Sequence, residues 1–374
     1  MSRQRHNPQP GAPGERIAVA MSGGVDSSVA AALLVEAGQD VVGVHLKLHE
    51  GPAEEKQDKR CCSLDDSLDA RQVCAKLGIP FYVLDFTADF SRSVIDYFVD
   101  SYRAGTTPNP CVMCNKTVKS RVLLHKVREF GCTALATGHY AHIARDGASG
   151  RYHLLRPADR QKDQTYFLFT TPAGELPHLR FPLAAHDKPT VRDVAARHGL
   201  LTWDKPDSQE VCFVPRDYRT FLAPRLGPDA APPGPLLDHA GNVLGEHRGL
   251  PYYTIGQRRG LGIAAPEPLY VIGLDAARNA VIVGPEAALY GERLLTTDVN
   301  WVSCAPPAAP LRATVKVRYA HAGTPATLTP VEGGVAVQFD EPVRAITPGQ
   351  AAVFYDGDLV LGGGWIAQAG GDGR

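Results

Sequence analysis

Residues 20–28 read AMSGGVDSS, where a short apolar run (RIAVAM, 16–21) meets a segment of helical spacing at 27–37. A strand that must turn at once into a helix over a glycine pair has few folds open to it. Gly23 and Gly24 allow backbone angles closed to other residues and bring main-chain N–H groups toward one point. Ser22, Ser27 and Ser28 add hydroxyl donors, and the helix N-terminus adds partial positive charge. The arrangement is a cradle for pyrophosphate. The pattern GxxxxGK[ST] is missing, so the loop is not a phosphoryl-transfer P-loop. A glycine turn with serine caps accounts for SGG alone; the whole string at this junction points to a nucleotide.

The loop sits in an alternation of strands and helices. Residues 41–48, 81–86 and 133–137 read as strands, and 27–37 and 89–103 as helices, with Gly38 closing the first. Ser63-Leu64-Asp65-Asp66 reads as a capping box that opens a helix to about Leu77. This alternation predicts a parallel sheet with helices on both faces and ligands at the carboxyl ends of its strands. Near residue 210 the pattern changes to short alternating runs at 269–274, 280–283, 313–317, 335–339 and 351–355. Those runs are all-β in character, one or two small barrels. Proline-rich breaks fall at 224–235 and 305–310. At about 150 residues per domain, 374 residues make two or three domains. The expected fold is α/β: a parallel-sheet nucleotide domain (15–210), then a small all-β central domain (211–293) and a C-terminal β-barrel (294–374), after a disordered tail at 1–14.

Lys plus Arg (39) nearly cancels Asp plus Glu (40), so any basic surface for a nucleic acid must be local. Lys116, Lys119, Arg121, Lys126 and Arg128 stand against Glu129 in one helical stretch, either a solvated face or a set of phosphate contacts. Arg258, Arg259, Lys316, Arg318, Tyr319 and His321 offer further backbone and stacking contacts. No apolar stretch is long enough to span a bilayer, and the polar tail lacks the apolar core of a signal peptide. The expectation is a cytoplasmic monomer with no membrane partner.

Eight cysteines are too few for a disulfide scaffold in a chain of this length. Cys74 and Cys132 read as core filler, and the Cys61-Cys62 pair as part of a loop. Cys111 and Cys114 form a CxxC in TPNPCVMCNK (107–116). With a helix beginning near Asn115 and with Lys116 and Lys119 close by, the Cys114 pKa is expected to be lowered. One CxxC is half of a zinc site, and no second half follows at ribbon or finger spacing. Cys212, in DSQEVCF (207–213), reads on local grounds equally as a reactive thiol or an inert one.

SGGVDSS resembles the signature of the PP-loop ATP pyrophosphatases, which cut ATP between its α and β phosphates. GMP synthetases, NAD synthetases and several tRNA-modifying enzymes share it. SGGVDSS, TPNPCVMCNK, ATGHYA (136–141), KDQTYFL (162–168), DSQEVCF and YTIGQRRGLG (253–262) stand in the order found in tRNA-specific 2-thiouridylases. This resemblance runs from residue 16 to about 366, and no glutaminase segment of a GMP synthetase is present.

The resemblance implies that Ala20, Met21, Ser22, Gly23, Gly24, Val25, Asp26 and Ser27 bind the phosphates of ATP, with Leu46 and Gly138 nearer the adenosine. Leu46 stands where many members have Met. Asn109, Pro110 and Cys111 are implied to lie against a flipped uridine, and His139, Lys162, Asp163, Gln164, Arg318, Tyr319 and Gln350 to contact tRNA. Cys212 matches the persulfide carrier and Cys114 the nucleophile paired with it. The implied reaction adenylates C2 of the wobble uridine in the anticodon loop, using ATP and Mg²⁺, and replaces the oxygen by sulfur. The sulfur is added directly or as released sulfide, leaving a Cys114–Cys212 disulfide. The implied donor is a cysteine desulfurase or a persulfide relay protein. Cys111 stands where some members have Asp, so Cys111, Cys114 and Cys212 holding a [4Fe–4S] cluster is a second expectation. Two rival classes are a PP-loop enzyme that adenylates a small molecule and a non-catalytic RNA-binding protein.

Overall fold

The computed structural model describes residues 14–49, 64–207, 211–214, 217–227 and 230–370. Most of the expected tail lies outside the described residues, as do Cys61, Cys62 and Ser63 of the expected capping box.

Strand β1 (Arg16–Ala20) is apolar because both its faces are covered: Ile17, Ala18 and Val19 are fully buried. The chain turns into α1 (Val25–Glu36), whose Ala30, Ala31 and Ala32 let it pack tightly, and Gly38 at φ +73° ends it. Next come β2 (Asp40–Lys47), α2 (Leu64–Leu77) and β3 (Phe81–Asp85). A helical run follows: α3 (Thr87–Phe90), a π-helical stretch Ser91–Ile95, and α4 (Asp96–Arg103). After the TPNP turn come α5 (Pro110–Cys114), a second π-helical stretch Asn115–Leu123, and α6 (Leu124–Glu129). The head continues through β4 (Ala134–Ala136), the hairpin β5 (His142–Arg145) and β6 (Tyr152–Leu155), β7 (Leu179–Arg180), α7 (Lys188–Arg197) and α8 (Tyr218–Leu226). Helix α8 runs through Pro224, so it takes up the start of the stretch expected as a connector.

The head sheet is parallel throughout, in the order β3-β2-β1-β4-β7. From β1 the chain steps outward to β2 and β3, then returns to lay β4 on the other side. That reversal opens a crevice beyond the carboxyl ends of β1 and β4, where open parallel sheets bind ligands.

The second sheet contains β8 (Gly234–Leu237), β9 (Val243–His247), β10 (Tyr270–Asp275) and β11 (Ala280–Gly284), ordered β10-β11-β8-β9 around Leu236, Val271 and Val281. The third contains β12 (Tyr290–Asn300), β13 (Leu311–Lys316), β14 (Thr324–Val331), β15 (Gly334–Arg344), β16 (Ala351–Asp356) and β17 (Leu359–Ala369). These close into an antiparallel barrel, ordered β12-β15-β14-β13-β16-β17 with β17 returning to β12. The hairpin β5–β6 extends this sheet through Leu359 and Leu155, so the head contributes strands to the barrel. One apolar cluster joins the two: Leu154, Tyr166 and Phe169 of the head pack with Val353, Tyr355 and Val360 of the barrel.

Candidate active site at the head and barrel junction

The glycine loop is built as its sequence demands. Gly23 has φ +75°, and a Cβ there would lie 2.4 Å from the Asp66 carbonyl oxygen. Gly24 caps α1 with no side chain of its own. The hydroxyls of Ser27 and Ser28 donate to its carbonyl at 3.1 and 2.8 Å, and Ser22 N–H donates to Ser27 Oγ at 3.1 Å. Gly138, at the end of β4, presses against the same turn: a Cβ would lie 2.7 Å from Asp26 C and Ser27 N. Leu46 and Met21 are buried, and Met21 N–H bonds the Val44 carbonyl at 2.8 Å. Burial lowers the His45 pKa, so its ring is neutral and Nδ1–H donates to the Met21 carbonyl at 2.9 Å. Lys205 fixes the outer rim through Gly23 O (2.9 Å), Asp66 (2.7 Å) and Asp69 (2.6 Å).

From Asp26 a chain of charged groups crosses the crevice. Its Oδ1 accepts from Tyr140 OH at 3.0 Å and from Lys188 Nζ at 2.7 Å. Lys188 also reaches Asp207 Oδ1 at 2.6 Å, and Lys162 Nζ donates to Asp207 Oδ2 at 2.8 Å. Burial pushes the Asp207 carboxyl up, but the bonds from Lys162 and Lys188 outweigh it and hold the pKa below the usual range. Four of the sequence strings therefore meet here: SGGVDSS through Asp26, ATGHYA through Tyr140, KDQTYFL through Lys162 and DSQEVCF through Asp207. Lys188, in no string, is the bridge that sequence reading missed; only contact in the fold marks it.

The cysteine loop departs from expectation in one respect. Asn109 caps α5, its Oδ1 accepting from Val112 N–H at 3.3 Å, and Pro110 takes the first helical position. The helix thus starts five residues before Asn115, and Cys114 lies inside helical structure rather than at an N-terminus. Cys114 is 8% exposed, and burial raises its pKa against the opposing field of Lys119. The expected lowering is corrected: desolvation wins because the dipole benefit is confined to the first turn. Cys111 is exposed, and Asn115 Nδ2 holds its carbonyl at 3.0 Å.

The barrel holds this loop from outside. Gln350 Nε2 donates to the carbonyls of Thr107 (3.1 Å) and Pro108 (3.0 Å), and Thr107 N–H donates to Pro348 O at 3.0 Å. Lys116 pairs with Asp298 of β12 at 2.7 Å. Cys212 is half-buried and borders the same apolar cluster as Cys114. Its neighbour Phe213 is wedged among Phe90, Phe98 and Phe221 at centroid distances of 5.5, 5.3 and 5.2 Å. Ser208, Gln209 and Glu210 lie outside the described residues.

The residues expected to meet tRNA divide by exposure. Tyr319 is 40% exposed, lies 4.7 Å from the Phe167 ring and has Lys316 Nζ 5.7 Å from its own. Arg318 donates to the Arg344 carbonyl at 2.7 Å and stays partly open. His139 bonds Thr137 Oγ1 at 2.7 Å; burial, helped by Lys119, keeps its pKa well down and the ring neutral. Gln164 and Tyr140 exchange bonds at 2.9 and 3.0 Å. Asp163 is 4% exposed and filled by Arg156 (2.6 Å) and by Thr165 N–H and Oγ1 (2.9 and 2.6 Å), so it holds the loop instead of facing solvent.

Family models match in chain order: a tRNA methyl transferase HUP domain over 15–216, a tRNA methyl transferase PRC-barrel domain over 219–285 and an aminomethyltransferase beta-barrel domain over 291–366. The tRNA-specific 2-thiouridylase MnmA of Geobacter metallireducens is 53% identical over 362 residues, covering 95% of this chain and 97% of its own. That of Magnetococcus marinus is 51% identical over 355 residues, covering 94% and 99%. The chain belongs to the tRNA-specific 2-thiouridylase family. A third relative, from Heliobacterium modesticaldum, is 50% identical over 357 residues, covering 95% and 93%.

Membership in the 2-thiouridylase family implies the use of ATP. The cluster expectation finds no support in the donors. Among the described residues, no group of three or more His, Cys, Asp or Glu side chains is placed to hold a metal ion. Cys111 is exposed, Cys114 buried and Cys212 half-buried.

Proposed function

We propose that this protein is a tRNA-uridine 2-sulfurtransferase, replacing the C2 oxygen of a wobble uridine by sulfur at the expense of ATP. The observation that carries the reading is the joining of the glycine loop, through Asp26, Lys188 and Asp207, to the segment bearing Cys212. The substrate nucleotide is ATP as its Mg²⁺ complex, seated on Ala20–Ser27 with Leu46 and Gly138 toward the adenosine. The uracil O2 attacks the α-phosphorus and pyrophosphate leaves, stabilised by the N–H groups of the glycine loop. The activated C2 then takes sulfur from a Cys212 persulfide. In the two-step form, the Cys114 thiolate attacks Cys212 Sγ and expels sulfide, which adds to C2. AMP departs and the resulting Cys114–Cys212 disulfide is reduced by an external thiol.

Asn109, Pro110 and Cys111 lie on the target base in this reading. His139, Lys162, Gln164, Arg318 and Tyr319 meet the tRNA, while Asp163 and Gln350 position the loops that do. Sulfur comes from a cysteine desulfurase or relay protein, and the enzyme works as a cytoplasmic monomer with domains at 15–210, 211–293 and 294–374. Among the described residues no helix is long and apolar enough to cross a membrane.

The test is nucleoside mass spectrometry of a tRNA with a wobble uridine after incubation with ATP, Mg²⁺ and a persulfide donor. We expect an oxygen-to-sulfur mass gain on uridine that requires ATP and is lost in Cys114→Ser and Cys212→Ser proteins that still bind tRNA. A fully active Cys212→Ser protein overturns the carrier role. Pyrophosphate release driven by a small molecule without tRNA overturns the substrate.

A further inference from the structure

The string YTIGQRRGLG (253–262) takes no part in the chemistry above, yet its loop is braced from within and from the neighbouring sheet. Gly256 N–H donates to Val271 O at 2.8 Å and Val271 N–H to Gln257 O at 2.9 Å, which ties the loop to β10. The Gln257 amide fills the inside of the turn. Its Oε1 accepts from Thr254 N–H (3.3 Å) and Arg219 Nη2 (3.4 Å), and its Nε2 donates to Arg259 O at 2.9 Å. Gly256 and Gly260 flank the tip at φ +88° and +77°, angles that other residues rarely adopt. At the tip stand Arg258 and Arg259. Both are exposed, and among the described residues neither guanidinium has a hydrogen-bond or ionic partner.

We propose that Arg258 and Arg259 form a second grip on the RNA, binding the sugar-phosphate backbone a few nucleotides away from the target base. The inference rests on reading tRNA as the substrate and Asn109–Cys111 as the place of its target base.

The barrel segment 344–350 gives the position. Gly256 abuts its start: a Cβ there would lie 3.4 Å from Ala345 Cβ. The Arg344 guanidinium lies 5.6 Å from the ring of Tyr270 in β10, the strand that ties the loop. Arg344 O accepts from Arg318 Nη1 at 2.7 Å. At the other end, Pro348 and Gln350 hold Thr107 and Pro108, which lead into the cysteine loop. One short stretch therefore fixes the arginine loop, Arg318 and the cysteine loop relative to one another. Ala345 and Gln350 are five residues apart, at most about 18 Å of extended chain. A few stacked nucleotides span such a distance.

Charge and shape name the ligand. The whole chain is nearly neutral, so attraction for a polyanion must come from groups like these. The string 253–262 holds no carboxylate, and the nearby Glu286 and Asp217 are already paired, with Arg344 and Arg219. A guanidinium fork fits two phosphate oxygens at once and carries no base preference. Holding the turn rigid before the RNA arrives lowers the cost of ordering it on binding.

The experiment measures binding of a fluorescent tRNA transcript with a wobble uridine, by anisotropy, over a series of KCl concentrations. With both arginines changed, Arg258→Ala plus Arg259→Ala, affinity should fall about tenfold or more at low salt, and the slope of log Kd against log salt by about 1.5, as two lost phosphate contacts require. An unchanged melting temperature shows that the fold is intact. Arg258→Lys plus Arg259→Lys keeps both charges and should keep the slope. Gln257→Ala loosens the turn with both arginines present, and should weaken binding while the slope holds. The loss in the alanine variant should be equal for a transcript with cytidine at the wobble position, since backbone contacts carry no base information; a loss confined to the uridine transcript overturns the backbone role. Native affinity and slope in the alanine variant overturn this inference alone. No binding of tRNA by the native protein overturns the substrate reading, and this inference with it.

Discussion

At the scale of single residues, the proposed nucleophile Cys114 is a thiol whose burial disfavours the thiolate. Burial raises the Cys114 pKa, and Lys119 is the cation that opposes it. Removing that cation in Lys119→Met disfavours the thiolate further, so the pKa rises again. Single-turnover sulfur transfer should therefore slow at neutral pH, by about tenfold for each added pKa unit. The deficit should shrink as pH is raised, and a pH–rate profile checks it; a deficit equal at every pH would mean that Lys119 acts otherwise. The exposure of Cys111 bears on the iron–sulfur expectation. Protein purified anaerobically, colourless and free of iron, should still form 2-thiouridine, and activity that appears only with iron would reverse that reading.

At the scale of elements, what was legible in the sequence was what is local. The strand–turn–helix at Gly23 and Gly24, strands β1 to β4 of the head sheet and the β character of the C-terminal part follow from neighbouring residues, whereas the two-residue β7 and helix α8 were not read. The start of α5 was not legible because two prolines flank Asn109 and break the helical pattern, whereas Asn109 and Pro110 make the cap and first turn of a helix. The π-helical stretches also leave no periodic mark, though they sit side by side, with Thr117 Oγ1 donating to Ser93 Oγ at 3.0 Å. Lys188 was hidden for a different reason: its partners lie 162 and 19 positions away, and no short pattern encodes such a meeting. The crevice between β1 and β4 gives the element-scale prediction. Gly138→Ala would place a methyl group 2.7 Å from the backbone of Asp26 and Ser27, atoms fixed by the first turn of α1. It should destabilise the fold by about 1–3 kcal/mol. Calorimetry should show weaker ATP binding than in a control such as Gly147→Ala, where a Cβ meets nothing within 4 Å.

At the scale of the whole molecule, the barrel packs onto the head and holds the turn that leads into Asn109 and Cys111. The head lends it a hairpin, the apolar cluster runs unbroken between them, and Lys116 reaches across to Asp298. The decisive contact is Gln350, whose amide binds two consecutive carbonyls of the turn that leads into Asn109 and Cys111. Those carbonyls have no ladder to hold them, so the turn is shaped from the barrel side. Gly349 shows how close the approach is: at φ +89°, a Cβ there would lie 2.8 Å from the Thr107 oxygen. Gln350→Ala deletes both bonds but leaves the glycine loop, Lys188 and Cys212 untouched. Each net hydrogen bond is worth about 1 kcal/mol, so the melting temperature should fall only slightly. In the proposed reaction this loop carries the contacts to the target base, so a small displacement costs far more than stability, and kcat should fall about tenfold or more. ATP binding should hold, because Thr107 and Pro108, which Gln350 holds, are not part of the glycine loop. Equal losses in ATP affinity and turnover would show instead that barrel and head fold as one unit with no division of labour between them.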